Sequence, residues 1–268
     1  MYISNLIISF RLAFRARFLW IAGAAVTLLI LATLLSSFFS GRQPATVALD
    51  IGLSIIRLLL PLILILMTQE LLSREFERRY FLNTLSYPHS RHSILLSRFI
   101  GVASLALSLL IVLSGTLASL VWLISRNYAQ ATPVSLGYHY LITVAFIGID
   151  VILLTTVATL LAVVASTPSL VLVGTFSFML ISRSFGSIIE LLTRNATVVH
   201  DAESYRSGIT ILSYLLPDLG ALDVRMITLY GKLEFLPDNW PLVILSCFSY
   251  MVGMLGLAVW SLHRKHFA

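Results

Sequence analysis

The sequence predicts an all-α integral membrane protein with six transmembrane helices. Three observations lead there. Hydrophobic residues make up 58% of the chain, charged residues only 11%, and the apolar residues gather into six continuous runs, at roughly 18–40, 51–72, 94–123, 138–166, 168–190 and 241–262. A soluble domain carries about a quarter of its residues as charges, and the mean hydropathy of +0.95 lies far from that class. A hydrocarbon core of ~30 Å takes about 20 apolar residues to cross as a helix. Lipid offers the backbone no hydrogen-bond partner, so runs of this length must satisfy their own N–H and C=O groups as helices. The 268 residues read as one membrane domain, 1–268.

The first element is residues 1–17. Ile3, Leu6, Ile7, Phe10 and Phe14 recur at helical spacing while Arg11 and Arg15 sit four apart on another face, which predicts an interfacial helix in the headgroup plane. A plain basic flank of the first span would carry the same arginines. No cleavable signal is expected, because the first apolar run is of span length and follows Arg11, Arg15 and Arg17.

Orientation follows from the basic residues of short loops, which stay on the cytoplasmic side. Arg74, Arg78, Arg79, Arg91 and Arg98 flank runs two and three, and Arg264 and Lys265 follow run six; the loops after runs one and three carry one each, Arg42 and Arg126. Both termini are therefore expected inside. The net charge of +6 is explained by this topology and by anionic lipid, with no need of a nucleic-acid partner. The single cysteine, Cys247, lies within run six and excludes an internal disulfide.

The segment between runs two and three is charged and amphipathic. Glu70 with Arg74 and Glu75 with Arg79 are acid-first pairs four apart, and Leu72, Phe76 and Tyr80 form an apolar stripe, so a short helix is predicted. Pro88 ends it, and Ser90 is placed to cap the next helix. A solvated loop with a charged face is the plainer alternative.

The run SREFERRYFLNTLSYPHSRHSILLSRFIG, 73–101, resembles the signature region of type 2 ABC transporter permeases, the exporter class that moves drugs, polysaccharides and lipids. Glu75, Arg78, Leu85, Pro88, Ser90, Arg91 and Arg98 match its pattern; Tyr80-Phe81 stands where the family often has Gly-Thr, and Leu85-Ser86 where it usually has Leu-Leu. The resemblance implies a cytoplasmic coupling helix over 73–87, with Arg74, Glu75, Glu77, Arg78, Arg79, Pro88 and Arg91 transmitting force from an ATP-binding subunit. It further implies two copies of that subunit, which would hold ATP and Mg, a second permease chain as a homodimer, a cell inner membrane location, and re-entrant helices before span six. This chain has no G-x-x-x-x-G-K-[ST] phosphate loop, so no cofactor is expected in it and ATP hydrolysis belongs to a partner.

The extracytoplasmic segment 191–240 fits that layout. Ile209 to Leu216 is apolar, Pro217-Asp218 breaks the run, and Leu219, Leu222, Met226 and Leu229 continue at helical spacing until Gly231 can cap the end. An amphipathic loop resting on lipid is the alternative. Asn195-Ala196-Thr197 is a glycosylation sequon, relevant only in a secretory-pathway host.

Charges inside spans are costly and commonly functional. Arg57 in run two and Arg183, seven residues before Glu190 in run five, are each expected ~10 Å deep from one side. Doubled in a dimer, these arginines suit an anionic head group or phosphate; Asp150 in run four could instead neutralise one of them. These four form the candidate substrate path, with a structural salt bridge as its alternative. Cys247, Met251 and Met254 share one face of run six, where soft sulfur ligands suit Cu(I) but ordinary packing is the plainer reading. Ser114-Gly115 lacks the glycine two positions before the serine of an intramembrane serine protease, and no H-E-x-x-H is present. Three classes remain: an ABC exporter permease, an ion-driven secondary transporter relying on Asp150, and a scaffold or metalloenzyme-maturation subunit.

Overall fold

A computed structural model of the chain describes residues 18–73, 91–127, 134–165, 167–194 and 216–264. The expected interfacial helix and the coupling residues Arg74, Glu75, Glu77, Arg78, Arg79 and Pro88 lie outside the described residues, as do the side chains of Arg91 and Glu190.

Among the described residues, six helices are each long and apolar enough to cross a membrane. They are α1 (Phe18–Phe39), α2 (Pro44–Thr68), α3 (Arg91–Asn127), α4 (Tyr138–Val164), α5 (Pro168–Arg194) and α7 (Trp240–Arg264), with a short α6 (Arg225–Tyr230) before the last. Helix α2 starts seven residues earlier than the apolar run suggested, because Pro44 is preset for a first helical turn and needs no N–H partner there. At its other end it passes into a π-helical turn, Gln69–Ser73.

Helices α2 and α4 form the centre. Helix α4 packs against α7, α3, α2 and α5, and α2 lies between α1 and α3. The outer helices turn large apolar side chains outward, among them Leu31 and Phe38 of α1, Leu180 of α5, and Leu245 and Phe248 of α7. In water such faces would be a liability; against lipid they cost nothing, and interhelical contact must come from close packing. All four tryptophans sit near helix ends, and Arg126 and Arg264 stack on Trp122 and Trp260 at 4.5 and 4.4 Å, the placement favoured at a membrane–water boundary.

Several hydroxyl groups inside the bundle are satisfied within their own helices: Thr33 donates to Leu29 O at 2.6 Å, Thr68 to Leu64 O at 2.9 Å, Thr155 to Val151 O at 2.8 Å and Thr159 to Thr155 O at 2.7 Å. Between helices, the Tyr140 hydroxyl donates to Ser114 O at 2.6 Å and ties α4 to α3.

The 216–236 segment closes the end of the bundle where α2 and α4 begin. Leu219, Leu222, Val224 and Ile227 are buried against Phe146, Leu153 and Leu154 of α4, Met179 of α5, and Cys247 and Met251 of α7. Burial of such side chains contributes about 1.5–3 kcal/mol each relative to water. Thr228 and Thr143 share a hydroxyl–hydroxyl bond of 2.6 Å, and Ser135 N donates to Thr228 O at 3.2 Å.

The expected helix from Leu219 to Leu229 is corrected: helical structure starts only at Arg225, and Met226 is 46% exposed while Ile227 takes the buried place. The cause is Asp218, whose carboxylate accepts from Gly220 N at 2.9 Å and Ala221 N at 3.2 Å, a local turn that competes with helix. Gly231 ends α6 as anticipated, with a φ of 64°.

Leu117 of α3 fills the space beside Gly52 of α2, where a Cβ would overlap Leu117 Cδ1. Leu117 is fully buried, so a side chain at position 52 must displace it within the packed interior. Gly52→Val should cost roughly 1–3 kcal/mol, read as a lower melting temperature in detergent, and Leu117→Ala should restore part of it. Gly115→Val, where a Cβ meets nothing within 4 Å, should be near neutral.

Candidate functional site

Asp50, Ser54 and Arg57 are spaced i, i+4, i+7 and therefore share one face of α2. Arg57 is only 8% exposed. Four residues on is Pro61, inside the same helix. Proline has no N–H, so the Arg57 carbonyl loses its usual helical donor. That carbonyl accepts instead from Arg183 Nη1 of α5 at 3.0 Å. The Arg57 guanidinium turns the other way, pairing with Asp223 and donating from Nη2 to Leu219 O at 3.2 Å.

Arg183 completes its fork on α4, with Nη2 2.5 Å from Asp150 Oδ2. Asp150 is 1% exposed, a position a carboxylate occupies only when paired. One residue before Arg183, the Ser182 carbonyl accepts from Leu219 N at 3.2 Å. The chain at 218–220 lies so close to α5 that a Cβ on Gly186 would meet Asp218 Oδ2 at 2.5 Å, and one on Gly220 would meet Arg183 O at 2.8 Å. At Gly220 the close atom is backbone, so this approach requires glycine there, and at Gly186 a side chain would displace the Asp218 carboxylate.

Arg225, the first residue of α6, completes the network. Its Nε donates to Asp223 Oδ1 at 2.8 Å, and its Nη1 reaches Asp50 Oδ1 at 3.1 Å and the Ser54 hydroxyl. Three guanidinium groups thus meet three carboxylates, from α2, α4, α5 and the 219–225 segment. Arg57, Arg183, Asp50, Asp223 and Arg225 line a cleft of about 720 Å³ with Leu58 and Met226 at its lip. Burial alone would raise the Asp223 carboxyl, but Arg57 and Arg225 hold it below its ordinary value.

Of the sequence-predicted path residues, Arg57, Asp150 and Arg183 come together, and Asp150 neutralises Arg183. Along the helices, Arg57 is thirteen residues in from Pro44 at the start of α2 and Arg183 eleven from Arg194 at the end of α5, both helices extending past the apolar runs. Cys247 and Met251 belong to the apolar cluster beneath the 219–227 segment, with Met254 packed against it. Among the described residues no group of three His, Cys, Asp or Glu side chains is placed to hold a metal. Asp50, Ser54, Asp223 and Arg225 were not singled out from sequence. Their signals were the i, i+4, i+7 polar face ending at Arg57 and the Asp-x-Arg triplet in an otherwise apolar stretch.

Asp150→Asn should lower stability by about 3–5 kcal/mol, because it strands Arg183 in the bundle. The double variant Asp150→Asn/Arg183→Gln should lose less than the two single changes combined, measured by thermal unfolding in detergent. The depressed Asp223 carboxyl contributes stability that is fully present above the unfolded carboxylate value of about 3.9 and is lost as pH falls through the lower folded value. Wild type and Asp223→Asn should therefore differ in melting temperature at neutral pH and converge in strong acid.

Neither a family model nor a curated protein matches the chain. What this site can do is accordingly argued from its own geometry.

Proposed function

We propose that the chain is the transmembrane subunit of an ATP-driven exporter that works with a separate ATP-binding subunit. The observation that carries this reading is the charged run 73–101 between the second and third apolar helices, with Glu75, Arg78, Pro88, Ser90, Arg91 and Arg98 in the pattern of type 2 ABC permeases. In this reading residues 1–17 form the interfacial helix, 73–87 the coupling helix on the cytoplasmic side, and the segment before α7 the outer re-entrant unit. Both termini are cytoplasmic, and two chains pair as a homodimer in the inner membrane.

Helix α2 gives the mechanism a physical link. Its Gln69–Ser73 turn leads directly into the charged run, and its other half carries Asp50, Ser54 and Arg57. A helix of 25 residues is a strut about 37 Å long. A push at residue 73 would move the Arg57 face against Arg183 and the 219–225 segment, exchanging one set of ion pairs for another and opening or closing the cleft.

An ion-driven secondary transporter is the second reading, favoured by the buried Asp150–Arg183 pair, since intramembrane carboxylates commonly carry coupling protons.

Affinity purification of the tagged chain from its native membrane, followed by mass spectrometry, separates the two. The expected result is a stoichiometric subunit bearing a phosphate loop, lost on charge reversal at Glu75 and Arg78. A preparation of this chain alone that still transports under a proton gradient, and stops with Asp150→Asn, would overturn the exporter reading.

A further inference from the structure

We propose that the cleft between α2, α5 and the 219–226 segment binds a phosphoanion, and that Asp50 stands in for this ligand in the closed network. The inference deepens the reading of this cleft as part of a translocation path and rests on it for its role, but binding is a property of the chain alone. Five charged residues line the cleft, three guanidinium groups against the two carboxylates of Asp50 and Asp223. The third carboxylate, Asp150, is 1% exposed and sits behind Arg183. The charges of the network balance while Asp50 is paired, and displacement of Asp50 leaves the Arg225 guanidinium facing the cleft with only Asp223 beside it.

Asp50 is the carboxylate that can give way. Its side chain is 49% exposed, and its 3.1 Å pair with Arg225 is the longest ion pair of the network. The Arg225 guanidinium, held at the Ser54 hydroxyl, can donate to a phosphate oxygen in place of the Asp50 carboxylate oxygen. Deeper in, Arg57 Nε and Arg183 Nε are buried N–H donors with no hydrogen-bond partner. The Arg57 side chain is only 9% exposed, so its free donor is a desolvated group that favours any acceptor brought near it. A phosphate group carries more acceptor oxygens than a carboxylate, so one that replaces Asp50 at Arg225 has oxygens left over for a second donor of the cleft lining. Leu58 and Met226, half exposed at the lip, are suited to the apolar part of an amphiphile; a lipid head group and a soluble phosphate ester share the same phosphoanion chemistry.

The test uses the purified full chain in neutral detergent with two probes, inorganic phosphate by calorimetry and phosphatidylglycerol by retention in native mass spectrometry. Binding of either probe is expected, tightened about tenfold by Asp50→Asn, which removes the resident competitor, and weakened about tenfold by Arg225→Gln, the size of one charge-assisted hydrogen bond. Phosphatidylglycerol alone would identify a lipid head group as the source, and phosphate alone a soluble ester; either outcome supports the site. Asp50→Asn lies at a half-exposed position, and an unchanged melting temperature will verify its fold. Failure of both probes to bind wild type and Asp50→Asn, equal binding of chloride, or weaker binding on Asp50→Asn would each overturn the proposal. The ATPase co-purification is scored separately, so loss of the anion site and loss of the exporter reading are distinguishable.

Discussion

Arg57 cannot stand alone inside an apolar bundle, and much of the end of this molecule is arranged around that requirement. A guanidinium in hydrocarbon costs several kcal/mol unless it is paired and hydrogen-bonded. Arg57 obtains Asp223 and the Leu219 carbonyl, both from a segment more than 150 residues away in sequence. Its own carbonyl, released by Pro61 from the α2 ladder, then becomes the acceptor for the second buried arginine, Arg183. A single turn of α2 thus supplies a donor in one direction and an acceptor in the other.

The remaining contacts reinforce that junction. Arg183 could not reach both Arg57 and Asp150 unless α5 lay close to α2 and α4, and the absence of side chains at Gly186 and Gly220 lets the 218–220 turn come into contact with α5. Beneath the polar layer, Leu219, Leu222, Val224 and Ile227 anchor the same segment in an apolar cluster. Polar and apolar contacts point to one arrangement, which is the condition for a segment with little regular structure to hold a defined position. The balance of charge has a functional side: a network in which each guanidinium has a carboxylate is stable as it stands, yet each pair can be exchanged for another of similar energy when helices move.

Sulfur residues on α7 show how the same sequence pattern serves a bland purpose. Cys247 and Met251 recur at helical spacing because the face they occupy packs under the 219–227 segment. Small and flexible apolar side chains fill that irregular space well. The polar face of α2, by contrast, has no packing rationale apart from the ion pairs it makes.

The sequence by itself determined the six apolar helices, the Gly231 stop and the candidacy of Arg57, Asp150 and Arg183, because length, hydropathy and a charge in an apolar run are local properties. It also showed that one carboxylate was available to neutralise one arginine. Only the tertiary structure decided which pair forms, since Asp150 and Arg183 lie on different helices and meet through packing. It likewise decided that Asp223 and Arg225 close the network onto Asp50 and Ser54: short polar stretches between apolar runs carry no periodicity, and their partners are set by how the chain folds back. The late start of α6 belongs to the same class, because whether Asp218 continues a helix or caps a turn depends on the α5 backbone against which that turn is pressed.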